Sequence, residues 1–453
     1  MAELSPVMSL LSPQESFREF RDNGLRLDGP HVGLESIHDY EPGGHHPVHI
    51  GDVLNGRYKV MDKLGNGGRA NVWLCRDVQR EISQYFAIKI LMAAASIDDS
   101  PELRVYKLLR QGLAKGEAAE HLCLPLGRFD IHGPNGHHFA LVYPVLGPRV
   151  SRLPHVLNKD HPAKELRDIC FQVVRAMATL HSHGICHGDF RPANILTRIK
   201  GLGGLSEDQI RQVFGPPKTV AVIQSSSEGG GSWPSTAPTY LVRPIEWESL
   251  DFGGGIGINF VTSRACVVDF AESFDVRDLP EDLGIPQEYC APEYVLDKRL
   301  GIGSDIWALG CTLFEIRTGR RLFDIPDDDP DEHLKRMVNL LGKFPEPWWS
   351  TTWEARRRCF GEDQEGVSGR GKQSARLLGG ISLTRKRTTH SIEDVLADGL
   401  VYDFGHNNKK SEHRAIAKDE ISLFADLLRR IFKYSPDQRT PPEDILEHVW
   451  FGV

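Results

Sequence analysis

Apolar residues along this chain follow two different rhythms. Between residues 57 and 145 they fall in short β-rich runs. Arg57-Tyr58-Lys59-Val60, Asn71-Val72-Trp73-Leu74-Cys75 and Tyr85-Phe86-Ala87-Ile88-Lys89-Ile90 are dense in β-branched and aromatic residues, and each predicts a strand. His137–Val145 reads as a further apolar strand, ending in Leu146-Gly147-Pro148. Pro101–Gln111 interrupts the series with helical spacing, and its first turn carries the Pro and Glu that helix starts favour. From residue 163 the period lengthens. Ala163–Ser182 sets Leu166, Ile169, Cys170, Val173, Val174, Met177 and Leu180 on one helical face. Helical patterns return at Ser304–Thr318, His333–Leu341, Glu420–Phe432 and Pro442–His448.

Three stretches lack a sustained period. Residues 1–35 mix Ser, Pro, Gly and charge and predict a loosely ordered lead-in. Gly201–Ile256 is rich in Gly, Ser and Pro and is too long for an ordinary loop, so it reads as an insertion. Gly361–Arg376 is polar and reads as a surface excursion, and no internal repeat is visible. The pattern is a small β-rich part followed by a larger helical one.

Composition narrows the class. The chain has 453 residues, 40% hydrophobic and 26% charged, which fits a globular protein and excludes collagenous, coiled-coil or wholly disordered chains. Its 54 Lys+Arg against 62 Asp+Glu give a net charge of −8, which argues against a constitutive nucleic-acid or polybasic membrane binder. The longest apolar run, Phe86–Ile97, is broken by Lys89 and falls short of the roughly 18 residues a membrane span needs. The N-terminal residues carry no basic segment of the secretory kind. Eight cysteines lie between Cys75 and Cys359 without a CxxC pair, the pattern of reduced thiols. The expectation is a monomer in the cytoplasm, with Arg385-Lys386-Arg387 as a candidate nuclear signal and a solvated basic patch as the plainer reading.

Candidate chemistry begins at Leu64-Gly65-Asn66-Gly67-Gly68-Arg69-Ala70-Asn71-Val72, between two predicted strands. Glycines let a backbone pass close to phosphates with its amides facing the anion. Alone, such a loop is more often a plain hairpin. Lys89 changes the weighting, because an ammonium inside an apolar strand is costly without partners. Glu102, in the next helix, is placed to supply the counter-charge and hold that ammonium toward a nucleotide phosphate.

After the long amphipathic helix comes His187-Gly188-Asp189-Phe190-Arg191-Pro192-Ala193-Asn194. Asp189 can orient or deprotonate a hydroxyl, Arg191 can oppose charge on a transferring phosphoryl group, and Asn194 offers an oxygen suited to Mg²⁺. A metal site at His181, His183 and His187 is the competing idea, but it lacks a fourth ligand and leaves Asp189 and Asn194 without a role. Val267-Val268-Asp269-Phe270-Ala271 ends an apolar run in a carboxylate suited to Mg²⁺ on phosphates.

From Tyr58 to Phe451 the chain resembles the eukaryotic protein kinases. Ala291-Pro292-Glu293, Asp305-Ile306-Trp307-Ala308-Leu309-Gly310 and Arg439 in YSPDQRT complete the likeness. It implies an α+β, bilobal kinase fold, with a β-rich N-lobe at 36–146 and a helical C-lobe at 147–453 that carries an insert at about 201–256. It further implies a Glu293–Arg439 ion pair and Asp305 bonding to the catalytic-loop backbone. ATP contacts are implied at Leu64, Gly65, Asn66, Gly67, Val72, Ala87, Lys89, Pro144 and Leu146. Asp189, Arg191, Lys89 and Glu102 would be catalytic, and Asn194 and Asp269 would hold Mg²⁺. Within the kinases the chain is most similar to the serine/arginine-protein kinase (SRPK) group. That likeness rests on Tyr40-Glu41-Pro42-Gly43-Gly44-His45-His46-Pro47-Val48-His49-Ile50-Gly51-Asp52, Asn55-Gly56-Arg57-Tyr58, Val72-Trp73-Leu74, Val145-Leu146-Gly147 and Glu332-His333-Leu334 through Leu340-Leu341-Gly342.

The resemblance implies an ATP- and Mg²⁺-dependent, non-specific serine/threonine protein kinase acting on Arg-Ser-rich splicing factors. The acidic Asp327-Asp328-Asp329 and Asp331-Glu332 could meet such basic substrates, or form a solvated turn. Several positions depart from the pattern. Gly188 replaces an Arg that would grip a phosphorylated activation loop, Arg191 a Lys, Ala271 a Gly, Pro286 a Thr and Cys290 an Arg. Between Asp269 and Glu293 only Ser273 and Tyr289 carry hydroxyls, which points to activity independent of loop phosphorylation. A pseudokinase scaffold and a small-molecule phosphotransferase are the alternatives; the Ala-Pro-Glu, Asp-Ile-Trp and Arg439 set argues against the second.

Overall fold

The computed structural model describes residues 23–112, 120–151, 162–224, 233–247, 260–325, 328–360, 391–402 and 412–453. The chain divides into two compact units, one of residues up to Ile185 with Pro192–Ser273, the other of Cys186–Arg191 with Phe274–Val453.

In the first unit the short apolar runs form strands β1 (Leu25–Leu27), β2 (Val53–Leu54), β3 (Tyr58–Gly67), β4 (Ala70–Asp77), β5 (Tyr85–Leu91), β6 (Gly127–Gly133), β7 (Gly136–Pro144) and β8 (Leu146–Arg149). Strands β2 to β7 make one antiparallel sheet in the order β2-β3-β4-β5-β7-β6. Helices α1 (Pro101–Gly112) and α2 (Pro162–Ser182) lie where the helical spacing predicts them. Val60, Trp73, Cys75, Ile88, Ile90, Ala140 and Val142 share one apolar cluster, as expected for alternate positions on one sheet face.

The division differs from the expected border at residue 146. Helix α2 stays with the first unit because the Gln172 amide accepts from Ala265 N–H at 2.8 Å and donates to Ser263 O at 3.0 Å. The strand Ile195–Ile199 lies between β8 and Val261–Val267, which draws residues 192–273 into the same unit.

The expectation of a loosely ordered lead-in is corrected at its end, and the expected insertion carries structure of its own. Of the lead-in, β1 pairs with Val222–Gln224, and Leu25, Ile37, Tyr40 and Leu241 bury one another. Of the insertion, α3 (Glu207–Phe214) opens on a Ser206–Gln209 capping box, while Thr219–Gln224 joins β1 to Tyr240–Val242 in a three-stranded sheet. Leu202, Ile210, Val213 and Phe260 then pack on Met61, Leu74, Tyr85 and Val145. Polar contacts fix the same attachment, since Glu207 bonds Lys59 at 2.8 Å and Arg76 at 2.9 Å. Apolar residues thinly spaced among glycines are enough to cover a sheet that would otherwise expose them to water. Residues 1–22, 225–232 and 248–256, the polar patch at 361–376 and Arg385-Lys386-Arg387 lie outside the described residues.

The second unit contains α4 (Pro292–Asp297), α5 (Ile302–Thr318), α6 (Pro330–Leu341), α7 (Arg356–Phe360), α8 (Ile392–Ala397), α9 (Lys418–Ile431) and α10 (Pro442–Leu446). Helix α5 is buried without a break from Asp305 to Phe314, the mark of a helix surrounded by core. Gly310 permits the close approach of Ile431 and Phe432, whose atoms would stand 2.6 and 2.8 Å from a Cβ placed there. Helix α6 starts ahead of the expected His333 because Asp329 caps it and Pro330 fills its first position. Helix α10 stops short of His448, whose side chain instead accepts from Trp450 N–H. None of the eight cysteines forms a disulfide, and seven of them are buried. Among the described residues no helix is long and apolar enough to cross a membrane.

Candidate active site

The glycine-rich stretch is the tip of the β3–β4 hairpin, with Gly65 opposite Val72, Asn66 opposite Asn71 and Gly67 opposite Ala70. A Cβ at Gly65 or Gly67 would meet nothing within 4 Å, so both backbones border open space. Leu64, Val72, Ala87 and Leu146 gather in one apolar cluster with Leu196 and Tyr143. Sequence reasoning missed Leu196, although the Ile195-Leu196 pair after Asn194 signals a strand leaving the loop. Pro144 ends β7 opposite Phe86.

Lys89 sits on β5 with Val72 on one side and Leu141 on the other. Its Nζ donates to Glu102 Oε2 at 2.7 Å and to Asp269 Oδ1 at 3.0 Å. Burial works against the charged ammonium, but the carboxylates of Asp269 and Glu102 outweigh it and raise the pKa of Lys89. The Asp269 side chain is 48% exposed, while that of Glu102 is only 5% exposed. Asp269 adopts φ +64°, a left-handed conformation that L-residues seldom take and that clusters at functional sites. Asn194, buried, is tied alongside because its carbonyl accepts Val268 N–H at 2.9 Å. Carboxylate and amide oxygens are hard donors of the kind Mg²⁺ takes, and the ammonium suits phosphate, so these residues fit MgATP.

In the second unit, Asp305 at the start of α5 accepts the His187 N–H at 2.6 Å and the Gly188 N–H at 3.0 Å. The Thr312 hydroxyl donates to Phe190 O at 3.2 Å. These bonds fix the loop that carries Asp189. Gly188 has φ +79°, where a residue without Cβ relieves strain. Arg191 Nε reaches both carboxylate oxygens of Asp189, at 2.8 and 3.1 Å. His187 is fully buried and its Nδ1 accepts Asp189 N–H, so it serves the loop; among the described residues His181, His183 and His187 form no common ligand cluster.

Glu293 and Arg439 form a two-pronged ion pair with both contacts at 2.7 Å, as the motifs implied. A second sealed pair, Arg317–Glu420, escaped the sequence because neither partner lies in a recognisable motif. The two candidate loop hydroxyls are both engaged: Ser273 donates to Phe270 O and Tyr289 to Glu315. The acidic run is largely consumed within its own neighbourhood. Asp329 caps α6, Asp331 accepts from Trp353 and Arg358, and Glu332 pairs with Lys335 and Arg336. Asp327 lies outside the described residues.

The protein kinase domain family matches residues 267–451. Over 445 residues, 95% of this chain and 93% of the relative, the sequence is 25% identical to a Physarum polycephalum protein named serine/threonine-protein kinase SRPK. It is 31% identical over 235 residues to serine/threonine-protein kinase spk-1 of Caenorhabditis elegans, covering 51% of this chain and 22% of that one. It is 35% identical over 205 residues to SRSF protein kinase 3 of Homo sapiens, covering 43% and 35% respectively. Residues 267–451 thus match the protein kinase domain, and the chain is similar to SRPK-named kinases at low to moderate identity. It thus spans nearly all of one SRPK-named relative and a fifth to a third of the other two. Kinases of this family act on protein substrates and use ATP with a divalent cation. The chain departs from the usual kinase pattern at Gly188, Arg191, Ala271 and Pro286, and from the SRPK pattern at Cys290.

Proposed function

We propose that the chain is a bilobal serine/threonine protein kinase that transfers the γ-phosphoryl group of MgATP to Arg-Ser-rich protein substrates. The observation that carries this reading is Lys89, whose ammonium bonds both Glu102 and the half-exposed Asp269. Lys89 holds the α- and β-phosphates, and Glu102 braces it. Leu64, Val72, Ala87, Leu146 and Leu196 enclose the adenine, whose polar edge meets the backbone near Pro144 and Leu146. Gly65, Asn66 and Gly67 border the phosphates. Asn194 and Asp269 hold Mg²⁺, which supplies charge neutralisation on the phosphates when bound. Asp189 orients the acceptor hydroxyl and takes its proton, and Arg191 opposes the charge of the transferring group.

The activation segment supports a kinase that needs no loop phosphorylation. Phe274, Leu283, Cys290 and Tyr294 bury one another, with Ile285 and Leu300 against them. The Ser273 and Tyr289 side chains are buried and hydrogen-bonded, so neither presents a hydroxyl to a second kinase. The preference for Arg-Ser-rich targets draws on the likeness to kinases named SRPK and SRSF protein kinase 3 and on the net charge of −8. Transfer of labelled γ-phosphate to an Arg-Ser repeat peptide, beside a basic peptide without the repeat, tests both levels. Strong labelling of the repeat alone is expected. Equal labelling of both would remove the Arg-Ser preference, and labelling of neither would remove the kinase reading.

A further inference from the structure

The carboxylate of Glu102 has two oxygens, and each has its own partner. Oε2 takes the Lys89 ammonium, while Oε1 accepts the hydroxyl of Tyr143 on β7. Tyr143 stands opposite Ala87 on β5, two places along from the Leu141 that faces Lys89. The sheet register therefore fixes both donors against a carboxylate delivered by α1. Tyr143 is 8% exposed, Glu102 4%, so water does little to satisfy Oε1 if the phenol is removed. Burial, with the adjacent Glu102 carboxylate, raises the pKa of the Tyr143 phenol, which keeps it a proton donor across neutral pH.

We propose that Tyr143 is a positioning residue for phosphoryl transfer, its hydroxyl setting the rotation of the Glu102 carboxylate so that Oε2 faces Lys89. The inference rests on the kinase reading above. Two donors fixed on neighbouring strands leave the carboxylate one orientation. Without the phenol hydroxyl, Oε1 is a buried acceptor with a lost bond, and the carboxylate rotates to recover one. Lys89 then loses its fixed setting between Glu102 and Asp269. A phenylalanine fills almost the same volume, so Tyr143→Phe removes the hydroxyl and little else.

The test compares full-length wild type, Tyr143→Phe, Glu102→Gln and the double variant in two measurements: phosphoryl transfer, and amide hydrogen exchange across α1. In Tyr143→Phe, kcat is expected to fall roughly fivefold to tenfold. KM for the protein substrate stays unchanged, and the amides of α1 exchange faster. In the Glu102→Gln background the same substitution should change kcat by less than about twofold, because the group it acts through is already altered. An equal fold-loss in both backgrounds, or wild-type kcat and α1 exchange in Tyr143→Phe, overturns the proposal. A wild-type chain that transfers no phosphate overturns the kinase reading and the catalytic half of the inference. The α1 exchange still decides whether Tyr143 positions Glu102.

Discussion

The Lys89 group in the first unit and the Glu293–Arg439 pair in the second use the same charges in opposite ways. Arg439 puts one nitrogen on each oxygen of Glu293, adds bonds to the carbonyls of Gly303 and Lys433, and lies over the Trp307 ring. Its side chain is 0% exposed and that of Glu293 2%. One cation meets one anion, and bonds converge on both partners. Such a pair organises a core. Lys89 faces two carboxylates, and one of them, Asp269, is half exposed in a strained backbone conformation. A half-exposed carboxylate beside a buried ion pair is an arrangement that can take a further cation. Burial of both partners marks the structural pair, and a half-exposed carboxylate marks the candidate functional one.

The contrast breaks most visibly under substitution of one acid in each set. Glu293→Gln leaves Arg439 buried and half paired, and a loss of about 3–5 kcal/mol is expected in urea unfolding of the full chain. Asp269→Asn, at a half-exposed side chain, should cost less than about 1 kcal/mol by the same measurement. Equal losses at the two positions would erase the distinction.

A smaller effect sharpens it through pH. His333 is fully buried against Phe323 and bonds Cys290 O through Nε2 at 3.0 Å. Burial lowers its pKa to about 4, an effect only partly offset by the Cys290 carbonyl. The unfolded imidazole takes up its proton near pH 6.5, well before the folded one. Stability from this group is therefore complete above about pH 6.5 and is lost as pH falls toward 4, by up to roughly 3 kcal/mol. His333→Asn should flatten that acid limb in unfolding curves taken between pH 4 and 7. An unchanged slope would show that His333 does not set it.

Legibility in the sequence followed the range of the interactions. Strands β3, β4, β5 and β7 and helices α1, α2 and α9 announce themselves because burial repeats at a fixed local period. The catalytic-loop and Asp269 motifs are legible for a related reason, since each packs its chemistry into a few consecutive residues. Glu102 was recoverable from the cost of burying Lys89 alone. What stayed hidden depends on distant partners. Leu25 and Leu27 look like lead-in until Val222–Gln224 supplies the neighbouring strand, and Glu207 looks like a surface acid until Lys59 and Arg76 meet it. Tyr143 reads as one more aromatic in an apolar strand, because nothing local reveals that its hydroxyl ends on Glu102.

The central claim is that Lys89, Glu102 and Asp269 form the nucleotide-phosphate centre of a working kinase. The most direct measurement is γ-phosphate transfer to a protein substrate by wild type and Asp269→Asn, with circular dichroism confirming that both are folded. The account predicts clear transfer by wild type and a loss of at least about 10²–10³-fold in the variant at unchanged fold. Transfer by Asp269→Asn near the wild-type rate would contradict it.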